Sequence, residues 1–111
     1  MHAMEETRQP DAAEEVLTRV FQALADPIRR RMLDALRAGE LSVTELSRPF
    51  PVSLPAITKH PKVLERAGLI TRSRDAQQRP CRLRAAALRD ADAWIAAYRR
   101  YWESRFDQLD E

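Results

Sequence analysis

The sequence has little cysteine, little glycine and no long apolar run. Its single cysteine, Cys81, cannot form an internal disulfide, which excludes a disulfide-stabilised secreted scaffold and suits a reducing cytoplasm. Two glycines are too few for a glycine-rich phosphate-binding loop. No apolar run approaches the ~20 residues that cross a bilayer, and the start carries Glu5 and Glu6 where a signal peptide would be basic and then apolar. We therefore expect a cytoplasmic protein.

The charge of the chain is small in total but unevenly distributed. The net charge over 111 residues is +2. Residues 27–84 hold 13 basic and 5 acidic side chains, a balance of +8, whereas residues 1–26 and 85–111 are at −4 and −2. A length of this order favours one domain. A basic segment within a folded pattern is typical of a protein that binds a polyanion.

Helix start signals divide the first third of the chain. Residues 1–10 are polar and lack periodicity, so they are predicted to form a flexible tail ahead of a single domain at 11–111. Asp11 resembles the first residue of a capping box and predicts a helix. Asp26 followed by Pro27 predicts the start of a second helix, because aspartate caps free amides and proline is tolerated in a first turn.

The middle of the chain predicts two further helices and a hairpin. Ser42 and Glu45 form a second capping box at the start of a short helix, and Ser53 can cap the next helix. Residues 69–74 and 80–84 are short strand candidates on either side of a polar stretch, which predicts a hairpin of two antiparallel strands. The order predicts a mainly α fold, a winged helix-turn-helix with five helices and a two-stranded wing.

A long helix is predicted from about Ala85 to the end of the chain. Roughly 24 residues would span about 36 Å, and five of the seven aromatic residues lie there. Its apolar residues are spaced alternately three and four apart, which gives a narrow stripe. A helix of this length overhangs a small core, so we expect the protein to self-associate.

Two segments resemble the ArsR-type winged helix-turn-helix regulators, of the kind that lacks metal-binding cysteines. Residues 20–31 (VFQALADPIRRR) resemble the opening signature of that family, and residues 53–60 (SLPAITKH) with 62–70 (KVLERAGLI) resemble its second motif. The resemblance covers about residues 14–110 and implies a homodimeric transcriptional repressor that dimerises through its first and last helices. The implied dimer-interface residues are Val16, Val20, Leu88, Ala91, Ile95, Tyr98, Trp102, Phe106 and Leu109.

The helix predicted at 53–67, the second helix of the helix-turn-helix, is expected to enter the DNA major groove, which is wide enough for an α-helix. Hydroxyl and basic side chains there suit base edges and phosphates, and the wing is expected to reach phosphates or the minor groove. One of the three arginines at 29–31 is expected to reach a phosphate, and the others to pair with acids or water. The predicted DNA-binding residues are Ser53, Leu54, Ala56, Thr58, Lys59, His60 and Lys62 on the helix, with Arg72, Arg74, Gln77, Gln78 and Arg79 on the wing.

Pro61 departs from the family pattern, in which this position is usually leucine. Inside a helix, proline removes one backbone hydrogen bond and crowds the carbonyl of Ile57, at ~3 kcal/mol. The sequence therefore predicts a kinked recognition helix. It also leaves open an alternative function, a winged-helix protein-interaction module with weakened DNA binding.

Metal, redox and catalytic functions have little support in the sequence. Metal-sensing relatives carry cysteines in the short helix before the recognition helix, where this chain has Ser42 and Thr44, poor ligands for soft metals. Cys81 is expected to be a small buried residue, with a metal- or thiol-responsive repressor as a lesser alternative. His60 has no carboxylate nearby in sequence to orient it for catalysis. We predict no enzyme, no metal and no cofactor, and leave any small-molecule effector open.

Overall fold

The computed structural model describes residues 11–74 and 79–110, the last five of them as backbone only. The predicted tail at 1–10 therefore lies outside the described residues. With α4 and α5 counted as one interrupted helix, the described part holds five helices and a two-stranded hairpin, which confirms the predicted fold. The elements are α1 (Ala12–Leu24), α2 (Pro27–Leu36), α3 (Val43–Ser47), α4 (Leu54–Ile57), α5 (Lys59–Arg66), β1 (Ile70–Arg72), β2 (Cys81–Leu83), a 3-10 turn (Ala85–Ala87) and α6 (Leu88–Asp110).

The helices begin where the capping signals predict. Asp11 accepts a hydrogen bond from the Glu14 amide at 2.8 Å. The Asp26 carboxylate accepts from two amides at the start of α2. Ser42 and Glu45 form both bonds of a capping box at the start of α3. These contacts satisfy amides that have no partner within their own helix.

The predicted recognition helix is interrupted at Thr58, so the expected kink takes the form of a break between α4 and α5. Thr58 donates its amide to Leu54 and ends α4, with ψ at −11°. Pro61 is then the third residue of α5, where an amide would have no partner within that helix. The expected cost of a proline in a helix interior therefore does not apply. The Pro61 ring is fully buried and belongs to the core.

The hairpin from β1 to β2, hereafter the wing, is held at its base by a third segment. Its antiparallel register pairs Ile70 with Leu83 and Arg72 with Cys81. Cys81 also exchanges both backbone hydrogen bonds with Leu41, in the connection between α2 and α3. This isolated bridge fixes the wing to the start of the helix-turn-helix.

Every helix contributes at least one residue to the core. The exposed start of α4 and the described side chains in the second half of α6 do not take part in it. Met32, Leu64, Leu69 and Ile70 are among its fully enclosed side chains. Two residues assigned to the dimer interface, Val20 and Ala91, also lie in this core at 0% and 3% exposure. At these two positions the apolar stripes of α1 and α6 therefore serve the protomer's own core. No helix among the described residues is long and apolar enough to span a membrane.

Candidate nucleic-acid interface

The α4–α5 pair presents most of its predicted DNA-binding side chains to solvent. Ser53 caps α4 by accepting from the Ala56 amide at 3.4 Å. Leu54 is 61% exposed, and Ala56 is exposed beside it. Lys59 and Lys62 are also exposed, whereas Thr58 and His60 are partly buried. Because Thr58 donates its hydroxyl to the Pro55 carbonyl at 3.3 Å, its oxygen remains free to accept.

A cationic groove of about 370 Å³ lies between α5 and the wing. The groove brings together four of the predicted DNA-binding residues, one on α5 and three on the wing: Lys62, Arg72, Arg74 and Arg79. Among the described residues that line it, Glu65 is the one acidic side chain against five basic ones, so this lining favours an anion. The groove is lined by Lys62, Glu65, Arg66, Arg72, Ser73, Arg74 and Arg79.

The arginines of the wing are not equivalent. Arg74 and Arg79 are exposed. Arg72 is 16% exposed, and its guanidinium lies 3.8 Å from the Glu65 carboxylate. Within the described part of the chain its buried Nε has no hydrogen-bond partner. Gln77 and Gln78, the other predicted wing residues, lie outside the described residues.

The arginines at the start of α2 bind backbone, which corrects the expectation that they pair with acids or water. Arg29 donates Nε to the Ala23 carbonyl at 2.8 Å and Nη2 to the Gln22 carbonyl at 2.9 Å. Arg30 donates to the Leu24 carbonyl at 2.7 Å. Both side chains thus satisfy carbonyls at the end of α1, where positive charge is favourable. Arg31 is exposed.

Asp26 lies at the same junction, between α1 and α2. Partial burial acts to raise its pKa, but the hydrogen bonds from the amides of Arg29 and Ile28, together with the nearby charge of Arg29, lower the pKa overall. The ionised carboxylate therefore caps α2 and complements Arg29. The Arg29 Nη1 also lies 3.2 Å from Nδ1 of His60, on α5.

Cys81 is fully buried, as predicted. Burial raises the pKa of its thiol, so the reactive thiolate is disfavoured. Among the described residues no group of three or more histidine, cysteine or acidic side chains could hold a metal ion.

A second surface, the aromatic face, lies on α6 with one residue of α1. Trp94 packs edge-on against Phe21 at 5.6 Å between ring centroids and lies 4.9 Å from Tyr98. The face consists of Val16, Trp94, Ile95, Tyr98 and Trp102, each between 37% and 51% exposed. Leu88 instead packs against the protomer's own core, and the side chains of Phe106 and Leu109 lie outside the described ones.

Sequence reasoning missed one residue of the candidate interface, Arg66, and one contact, between Arg29 and His60. Arg66 lines the cationic groove one helical turn after Lys62, and the i, i+4 spacing of these two cations was the available signal. The contact between Arg29 and His60 joins residues 31 positions apart. No local pattern could have indicated it.

Comparisons with known proteins agree with this architecture. A family model described as a helix-turn-helix domain matches residues 24–73. The transcriptional repressor SdpR of Bacillus subtilis (strain 168) is 32% identical over 79 residues, which are 71% of this chain and 88% of SdpR. A crystal structure of an ArsR family transcriptional regulator is 38% identical, with a TM-score of 0.75 over 82% of this chain and 94% of that one.

A second solved structure, determined in solution, is of a similar domain that is a homodimer. It is the homodimeric winged helix-turn-helix DNA-binding domain of a possible ArsR-family regulator from Mycobacterium bovis, 25% identical, with a TM-score of 0.62 over 82% of this chain and 89% of that one. The extent of the SdpR match and the agreement with the crystal structure assign the family. This chain belongs to the ArsR family of winged helix-turn-helix transcriptional regulators.

Proposed function

We propose that the protein is a homodimeric repressor that occludes a promoter by binding an inverted-repeat operator. The observation that carries this proposal is the cationic groove between α5 and the wing, adjoining the exposed start of the α4–α5 pair. An α-helix fits the major groove, and a wing beside it meets the flanking backbone. The protein would act in the cytoplasm, where the bacterial relatives' chromosomal DNA lies.

The α4–α5 pair would supply the base contacts. The Ser53 hydroxyl can bond a base edge or a phosphate, and the exposed Leu54 and Ala56 can contact a thymine methyl group. Lys59 and Lys62 suit phosphates on either side. Because of the break at Thr58, residues 53–57 and 59–66 would meet the DNA as two consecutive short helices.

The groove would hold a backbone phosphate. Arg74 and Arg79 are exposed at its wing side, and Lys62 and Arg66 lie on its helix side. Such contacts position the protein on the duplex and carry most of the salt dependence of binding. The buried Nε of Arg72 would gain a partner if a phosphate oxygen or an ordered water entered the groove.

The aromatic face supports the homodimer. Its five side chains are each 37–51% exposed in the single protomer, and apolar side chains grouped on one face are typical of an interaction surface. A second copy covering the aromatic face would bury them, and the Mycobacterium bovis relative is a homodimer.

The alternative of a protein-interaction module has no supporting observation. That alternative was based on the expected kink at Pro61. However, Pro61 is a buried residue in the first turn of α5, and the predicted DNA-binding residues around it stay mostly exposed. The thiol-responsive alternative requires an accessible sulfur, and Cys81 is enclosed.

The test is binding to the upstream region of the protein's own gene, measured by fluorescence anisotropy at several salt concentrations, with a scrambled duplex as control. Two recognition helices related by a two-fold axis should protect half-sites about 34–36 Å apart. Affinity should fall steeply between roughly 50 and 200 mM salt, because phosphate contacts release counterions. Equal affinity for both duplexes, or affinity independent of salt, would refute the proposal.

A further inference from the structure

Arg29 connects three elements through one guanidinium group. Its Nε and Nη2 donate to the last carbonyls of α1, at Ala23 and Gln22. Its third nitrogen, Nη1, lies 3.2 Å from Nδ1 of His60 at the start of α5. The side chain belongs to α2, so α1, α2 and α5 meet at this group.

The chemistry of the guanidinium decides the state of the His60 ring. Arginine has five N–H donors, no acceptor, and is always protonated in proteins. A nitrogen that faces it at 3.2 Å must accept, so Nδ1 carries a lone pair and the ring proton lies on Nε2. The polar group left on this partly exposed ring is then an N–H donor.

We propose that Arg29 is a positioning residue for DNA reading, which holds His60 in the Nε2–H tautomer so that its imidazole donates to an acceptor on the operator. The acceptors in the major groove are N7 and O6 of guanine, N7 of adenine and O4 of thymine, whereas the exocyclic amino groups of cytosine and adenine only donate. The inference rests on the proposed function, because it assigns a role to one contact within that DNA-binding surface.

The surroundings of Arg29 make the arrangement stiff. The Asp26 carboxylate accepts from the amides of Ile28 and Arg29, which fixes the first turn of α2. Three nitrogens of one planar group have separate partners, so rotation about the last torsion would break several bonds at once. A lysine at this position keeps the charge but offers a single ammonium, which cannot reproduce the three-way contact.

The first experiment reads the tautomer directly, in the DNA-free protein, by nitrogen-15 NMR of the histidine rings. The sequence contains two histidines, His2 and His60, so a His60→Gln sample assigns the signals. In the unchanged protein we expect an unprotonated Nδ1 and a protonated Nε2. In Arg29→Lys the signals should shift towards a mixture of tautomers, and in the control Arg31→Lys they should not. A protonated Nδ1 in the unchanged protein would overturn the proposal whether or not any variant folds.

The second experiment measures the consequence for binding. Relative to the unchanged protein, Arg29→Lys and His60→Ala should each weaken operator binding roughly tenfold per half-site, the typical scale of a base contact. Binding to a scrambled duplex should not change for Arg29→Lys, because the charge is kept. The double variant should be no weaker than His60→Ala alone, since Arg29 acts through His60.

The failure of this inference differs from a failure of the proposed function. If the unchanged protein does not prefer the operator, the proposed function fails, and the tautomer measurement still decides the role of Arg29. If the unchanged protein does prefer the operator but the effects of Arg29→Lys and His60→Ala are additive, Arg29 only caps α1 and the inference is wrong. Arg31→Lys is the matched control, because Arg31 is an exposed neighbour on the same helix.

Discussion

The proposed DNA-binding surface, formed by the α4–α5 pair and the wing, and the aromatic face are built in opposite ways. The proposed DNA-binding surface consists of short elements, tied to the rest of the protomer by the Arg29 contacts and the Leu41–Cys81 bridge. The aromatic face lies mostly on one helix of 23 residues and rests on the protomer through Phe21 and the core residues near its start. The described part of the first surface is assembled within a single protomer, whereas the second stays exposed in the single protomer.

This difference separates two properties of DNA binding. The geometry that reads a half-site is set by contacts within one protomer. The distance between two half-sites is set by the way in which two copies meet. Substitutions in one surface should therefore leave the other intact, and each prediction below tests that separation.

The largest effect is expected from Trp102→Ala, which removes an aromatic side chain from the aromatic face. A truncated central residue costs about 2 kcal/mol at an interface, and a two-fold axis doubles the loss, so the dimer dissociation constant should rise roughly 10³-fold. Sedimentation analysis over a range of protein concentrations measures this. The control is Arg100→Ala, which lies roughly 200° around the helix from Trp102 and Tyr98. An unchanged dimer in the Trp102 variant would show that this face is not the interface.

The next effect is expected at the wing, where Arg74→Ala and Arg79→Ala are combined. The slope of log affinity against log salt changes by about 0.9 for each lost phosphate contact, so two residues in two protomers should reduce it by about 3.6. Operator and scrambled duplex should weaken alike, because phosphates carry no sequence information. The control is Arg82→Ala, an exposed arginine already paired with Glu40 at 2.9 Å. If the dimer dissociation constant of this double variant also changed, the separation of the two surfaces would be contradicted.

A smaller effect, on stability, is expected from Pro61→Ala. The substitution removes a fully buried ring and gives the unfolded chain more freedom, while regaining one amide donor. We expect a loss of about 1–2 kcal/mol in the free energy of unfolding, measured by urea denaturation at fixed protein concentration. Pro55→Ala, at an exposed proline in the first turn of α4, should change it by less than about 1 kcal/mol. A gain of about 3 kcal/mol in the Pro61 variant would instead mean that this proline strains a helix interior.

The smallest effect is expected from Asp26→Ala and depends on pH. Because the pKa of Asp26 is lowered in the folded protein, its contribution to stability is present above the unfolded pKa, near ~3.9, and is lost as the pH falls through the folded pKa. Loss of the cap should cost about 1 kcal/mol at pH 7. The difference in melting temperature from the unchanged protein should shrink towards about pH 3. Asp34→Ala, at an exposed position of α2, serves as the control, and a pH-independent difference would exclude a role for the charge of Asp26.

Local chemistry explains how much of the fold was predictable. The caps at Asp11, Asp26 and Ser42 act within three residues of themselves, so their helices could be placed from the sequence. The wing was placed by two short strand candidates on either side of a polar stretch. The Leu41–Cys81 bridge was not predictable, because it joins backbone groups of residues that are far apart in the sequence and no side-chain pattern indicates it.

The site was predicted less completely than the fold. The exposed residues of the α4–α5 pair follow from helical spacing, and four of the predicted cationic residues line one groove. Spacing cannot tell whether an apolar stripe meets the protomer's own core or a second copy. Val20 and Ala91, which were expected at the dimer interface, are enclosed in the protomer's own core. Nor can spacing tell whether an arginine serves a phosphate or a backbone carbonyl, as Arg29 and Arg30 illustrate.

The Leu41–Cys81 bridge has a consequence for how the molecule tolerates changes in chain length. Leu41 is bonded to the wing, and the next residue, Ser42, caps α3. A residue inserted immediately before Ser42 would have to break either the cap or the ladder, since one step along an extended chain is about 3.3 Å. The connection between α2 and α3 therefore sets the reach of the wing relative to the recognition helix, as a spacer of fixed length.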